Sequence, residues 1–166
     1  MSSINANFER EMVAFAEAGK QALQDMTKMI LVEISVRLVN RSPVGDPPSW
    51  KHQPPHIPRN YLPGTFKNNW SLGVDAVNPD IFFAQDPSGA NSITRIALAI
   101  PRWPVGHTYF FCNNLPYAQA LEDGWSHKQA PNGMVSLTMS EFQNIVEQVE
   151  VRYAGGERPV NKGVPK

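Results

Sequence analysis

The sequence predicts an α+β domain. It should hold a long N-terminal helix, a small, mainly antiparallel four-stranded sheet, a short helix before the last strand and a C-terminal helix packed on that sheet. Three observations carry this expectation. Apolar residues recur at helical spacing from Phe8 to Leu38, all 15 prolines follow Arg41, and four later segments read as strands by alternation or aromatic content. A chain of 166 residues fits one domain and buries about two-thirds of the surface its unfolded form exposes. Its core therefore needs neither a disulfide nor a structural metal, in keeping with the single Cys112. The expected division is one domain over residues 1–153, containing a Pro-rich loop at 42–64, and a flexible, weakly basic tail over 154–166 with Arg158, Lys162 and Lys166.

The first element is a proline-free helix from Ser3 to Arg41, with Phe8, Met12, Phe15, Leu23, Met26, Ile30, Ile34 and Leu38 on one face. Asn5 or Asn7 can cap it, Glu9 and Glu11 suit its first turn, and Arg37 and Arg41 suit its negative end. Such a helix reaches about 50 Å, longer than a compact domain of this size, so Gly19 is a candidate break. Its apolar face serves either the core or an oligomer contact. Residues 42–64 hold seven of the prolines and must form a loop. Trp50, Ile57 and Tyr61 within it are large apolar groups that seek a surface, which suggests packing against a partner.

Strands are then expected over Thr65–Val77, where Phe66, Trp70, Leu72 and Val74 share one parity, over Ser92–Ile100, and over His107–Asn113. Pro116–Asp123 reads as a short helix with Gly124 just past its end. Val135, Leu137 and Met139 alternate with Ser136 and Thr138 in a fourth strand, and Ser140 with Gln143 forms a capping-box pattern opening the last helix.

Charge and motifs exclude several function classes. Fifteen basic and fifteen acidic residues cancel, which argues against a nucleic-acid binder that relies on phosphate neutralisation. Met29–Val32, the longest apolar run, is too short to span a bilayer, and residues 1–10 lack the pattern of a signal peptide. A charged fraction of 18% leaves neutral surface that suits protein partners. His52 and His56 have metal-ligand spacing, but Pro54 and Pro55 between them forbid the helix that would align them. Cys112 among Phe110 and Phe111 reads as a small hydrophobe rather than a nucleophile served by His107. Adjacent carboxylates such as Glu122 and Asp123 seldom flank a substrate. Gly45, Gly64 and Gly73 fit no phosphate-binding loop. No catalytic, metal or cofactor residue is expected.

In order along the chain come Arg41-Ser42-Pro43-Val44-Gly45, then Gly64-Thr65-Phe66-Lys67-Asn68-Asn69-Trp70, then the N-x-x-x-Y-A-x-x-x-E-x-G pattern of Asn113 to Gly124, and A-P-x-G at Ala130 to Gly133. Together they resemble the neck or tail-completion proteins of tailed bacteriophages and prophages, over roughly residues 8 to 150. A Pro-rich insertion over 46–63 departs from the pattern. The resemblance implies a virion structural protein without turnover. Its subunits would form a ring, hexameric or dodecameric, between the portal or head-closure protein and the tail tube or tail terminator, with DNA passing through unheld. It implies assembly in the host cytoplasm. A tail-terminator ring is the nearest alternative; a small phage hydrolase and an unrelated interaction module are others. On this reading Trp50, Ile57, Tyr61, Trp103 and Trp125 are the candidate subunit contacts. Tyr117, Ala118, Glu122, Gly124, Pro131 and Gly133 define the fold, with the Tyr117 hydroxyl expected to reach a polar partner.

Overall fold

A computed structural model describes residues 3–49, 57 and 60–159. The first helix, α1 (Ser3–Arg41), runs unbroken through Gly19. Asn5 and Asn7 lie inside it and do not cap it, because the helix already starts at Ser3. A short turn of tight helix (Pro47–Ser49) follows, then α2 (Thr65–Asn68), β1 (Ser71–Val74), α3 (Ala90–Ala99), β2 (Tyr109–Cys112), α4 (Ala118–Glu122), α5 (Val135–Ser140) and α6 (Phe142–Ala154). The α+β class holds, but the sheet has two strands among the described residues where four were expected. β1 and β2 pair antiparallel, with Ser71 opposite Cys112 and Val74 opposite Tyr109. The C-terminal helix packs on α1 rather than on the sheet, while α3 contacts both α1 and β1.

The two missing strands are helices, each for a visible reason. Ser92–Ile100 was expected to place Ile96, Leu98 and Ile100 on one face. Instead Ser92 and Ile96 are fully buried, four apart, and Leu98 is 69% exposed. The buried Asp86 carboxylate fixes the choice by accepting from the Asn91 and Ser92 amides at 3.0 and 3.3 Å, which satisfies the open N-terminus of α3. At Val135–Met139, Met134 and Thr138 are buried, again four apart, and Val135 and Met139 face outward. Ser140 does not cap α6; its hydroxyl donates back to the Leu137 carbonyl at 2.8 Å.

The expected long strand Thr65–Val77 is also divided. Gly64, with φ +82°, starts the turn of α2, and the β ladder begins at Ser71. Asn69, a polar residue on the parity opposite to Phe66, Trp70, Leu72 and Val74, is fully buried. Its amide nitrogen donates to the Thr65 and Phe82 carbonyls at 2.7 and 2.8 Å, and its oxygen accepts from the Phe82 amide at 2.8 Å. One side chain thus pairs with a loop as a strand would. Arg95 adds to this joint, donating to the Asn68 carbonyl and, at 3.0 Å, to that of Trp70, with its guanidinium 3.7 Å above the Phe82 ring.

The core gathers Ile34, Leu38 and Val39 of α1 with Phe66, Trp70, Leu72, Ile96, Leu115, Tyr117, Met134 and Ile145. Trp70 Nε1 donates to Ser42 Oγ at 2.7 Å, and Ser42 donates in turn to the Leu38 carbonyl at 2.7 Å. The helix therefore ends on a buried relay. Burial is not uniform along α1: residues 5–21 are exposed on every side, and contact with the body begins near Gln24. Both readings of the apolar face thus find a place on it, core in the C-terminal half and unpartnered surface in the N-terminal half.

Asn69→Ala would leave the Phe82 amide and carbonyl without their partner in a buried site. We expect a loss of roughly 2–4 kcal/mol in urea unfolding, with faster hydrogen exchange at Phe82. A loss below the cost of one hydrogen bond would show that the loop is held by other groups.

Candidate functional site

The resemblance motif forms one fixture built around Glu122. This residue ends α4, and its carboxylate reaches across to the start of α5. Oε2 accepts from the Met134 and Val135 amides at 2.8 and 2.9 Å, and Oε1 accepts from the Ser136 amide at 2.8 Å and the Ser136 hydroxyl at 2.7 Å. Four donors and a helix N-terminus thus meet one anion. Burial pushes the Glu122 carboxyl up, but the donors at Ser136, Val135 and Met134 together outweigh it and hold the group below the usual carboxylate range.

Two glycines make this closeness possible. Gly133, at φ +74°, would place a Cβ 2.5 Å from the Glu122 carbonyl, and Gly124, at φ +86°, would place one 2.5 Å from the Pro131 carbonyl. Left-handed backbone and crowding therefore both demand glycine. Ala118 packs against the core. Tyr117 is buried next to Phe66 and meets Tyr61 edge-on, at centroid distances of 6.0 and 6.4 Å. The hydroxyl expected to reach a polar partner makes no hydrogen bond with any described residue, because the ring stands among aromatic groups. Burial, with the Tyr61 hydroxyl as a second influence, pushes its pKa far up.

Val44 joins two loops beside this fixture. Its amide donates to Gln129 Oε1 at 2.9 Å, and its carbonyl accepts from the Gly64 amide and the Tyr61 hydroxyl, both at 2.7 Å. The 42–64 connection is thereby tied to the loop between the paired residues Ser126 and Ala130, next to Trp125. Trp125 itself is 55% exposed. Ile57 and Tyr61 are half-buried against the core, and Trp50 lies outside the described residues. Trp103, 52% exposed, belongs elsewhere. Its loop is anchored by the Val105 amide on Gln24 Oε1 at 3.0 Å, about 25 Å along α1 from its end at Arg41. Sequence reasoning brought these aromatics together as one class, whereas the structure separates Trp103, near the middle of α1, from Tyr61 and Trp125, near its C-terminal end. It missed Gln129 and Val44, which carry no signal beyond their loops.

The groups considered for chemistry are apart. His107 Nδ1 lies 2.6 Å from Asp75 Oδ2 just beyond the Val74–Tyr109 end of the strand pair, while the Cys112 thiol contacts the Phe110 carbonyl at 3.4 Å. Five extended residues separate them, about 16 Å. No group of three His, Cys, Asp or Glu among the described residues is placed to hold a metal, and His52 and His56 lie outside those residues. No helix among the described residues is long and apolar enough to cross a membrane.

Comparison of the chain with protein-family models, curated proteins and solved structures finds no match.

Glu122→Gln nearly keeps the shape of the fixture but removes its charge and puts an N–H donor where one oxygen accepted, and we expect a loss of about 2–3 kcal/mol at neutral pH. Because the folded pKa is lowered, this stability is fully present above the unfolded carboxyl value of about 4.3. It fades as pH falls through the folded value. The melting difference between variant and parent should therefore shrink in acid; a difference independent of pH would contradict the role given to the charge.

Proposed function

We propose that this chain is a structural protein of the phage neck. It would form a ring that completes the tail and joins it to the portal or head-closure complex. The observation that supports this reading is the convergence of the resemblance motif. Glu122, Gly124, Pro131 and Gly133 close on one another within a short stretch of chain, and the Glu122 carboxylate holds the start of α5, with Tyr117 buried in the core just before them. Such a fixture suits a subunit that must present fixed surfaces. Glu122, with its carboxylate saturated by four donors, is poorly placed to exchange protons with a substrate, and His107 and Cys112 do not meet. These placements favour a structural role over a hydrolase.

In this reading the contacts lie on exposed aromatic surface, with Trp125 beside the tied 42–64 connection and Trp103 near the middle of α1 as separate anchors. The zero net charge fits a wall that DNA passes without being gripped. A tail-terminator ring would use the same surfaces one level lower in the particle, and the position of the ring distinguishes the two.

The deciding experiment is deletion of the gene from the phage or prophage that encodes it, followed by microscopy of the particles. Filled heads and separate tails, and a ring at the neck in the complemented particle, are expected. Complete, infective particles lacking the chain would refute the proposal. Trp125→Ala should weaken joining while altering unfolding stability by no more than about 0.5 kcal/mol. A variant that fails to fold would place Trp125 in the core instead.

A further inference from the structure

We infer that the projecting half of α1 pairs antiparallel with the same half of a second copy of this chain. Phe8, Met12, Phe15, Gly19 and Ala22 recur at alternating spacings of four and three, the seam of a two-helix coiled coil. Phe8, Met12 and Phe15 are 62%, 51% and 76% exposed. Gly19 is costly in a helix interior, and nothing among the described residues explains it: beyond its own helix backbone, none of their atoms lies within 4 Å of the position its Cβ would take.

An antiparallel partner explains that glycine. When Phe15 of one copy stands level with Met12 of the other, Phe8 stands level with Gly19 of the other copy, so the largest group meets the smallest. Charge agrees with size. In this register Glu9 stands level with Ala18 and Glu11 with Ala16, so no like charges meet across the pair. A parallel pair would set Gly19 against Gly19 and bring Glu9 level with Glu9, and Glu11 level with Glu11, of the other copy.

The other described residues leave this seam open. Trp103 lines a surface hollow with Glu17, Lys20, Gln21 and Gln24, which lie mostly on the other side of the helix. Covering the seam in both copies removes on the order of 1,000 Å² from water, which reaches the range of small specific interfaces. A two-fold contact closes on itself. It therefore makes a dimer of free chains, is distinct from the head-to-tail contacts of a ring, and does not rest on the neck reading.

Sedimentation of the full chain should show a concentration-dependent dimer. Phe15→Glu should weaken it at least about tenfold without moving the melting temperature, because that side chain lies outside the core. Gly19→Leu should raise helix content yet also weaken the dimer, by filling the seat of Phe8. Oxidation of the double variant Phe8→Cys with Gly19→Cys should link position 8 to position 19 between copies. A chain that stays monomeric at every concentration, a dimer indifferent to Phe15→Glu, or links only between identical positions would overturn the inference. A cyclic oligomer that forms without any dimer would overturn it too, while leaving the neck proposal standing.

Discussion

The end of α1 between Ile34 and Ser42 is the constraint on which the other elements depend. Leu38 and Val39 are buried there, and α3, α5 and α6 each contact α1. Apolar burial supplies the energy, at about 25 cal/mol per Å². The polar groups set the geometry. Ser42 receives Trp70 and so ties the sheet half of the domain to the helix, while Arg41 binds Glu141 with two bonds of 2.7 Å and Thr138 Oγ1 at 2.9 Å. Arg37 also reaches Glu141, and its Nη2 donates to Gln148 at 2.8 Å. Hydrogen bonds from Arg41, then from Arg37, hold the Glu141 carboxyl below its usual range. Partly exposed ion pairs of this kind contribute little each, so their part is to fix the angle at which α5 and α6 lie on α1.

A two-stranded sheet is marginal by itself, and this one persists because side chains take over the work of missing strands. Asn69 pairs with the Phe82 backbone, Asn113 donates to the Phe66 carbonyl at 3.0 Å, and Asn114 donates to the Asn78 and Asp80 carbonyls at 2.8 and 3.0 Å. The long segment between β1 and α3 is thus held by side-chain hydrogen bonds at Asn78, Asp80 and Phe82. Such joints use no reactive chemistry, and they leave the outer surface free of structural duty.

Two regions of that surface follow from this economy. One is the pair of loops joined at Val44, where the C-terminal end of α1 places Trp125. The other is the first half of α1, which leaves the body before its apolar stripe finds a partner among the described residues. Their separation along one helix allows two different contacts on a single subunit, one suited to a ring and one to a free dimer.

The sequence by itself determined that the proline-free segment of α1 is helical, though not that it runs unbroken through Gly19, as well as the β2 strand, the short helix before Gly124 and the turn glycines. Helix formation over 39 residues and positive φ are local properties. The fates of Ser92–Ile100 and Val135–Met139 were not legible, because in short apolar runs alternation and helical spacing both find matches. The decision came from Asp86 at one helix start and from Glu122, twelve residues before Met134, at the other. Such a cap is a tertiary contact wherever its donor and acceptor are far apart in the chain. The burial of Asn69 and the division of α1 into a packed and a projecting half likewise depend on where other elements stop, which no periodicity within α1 encodes.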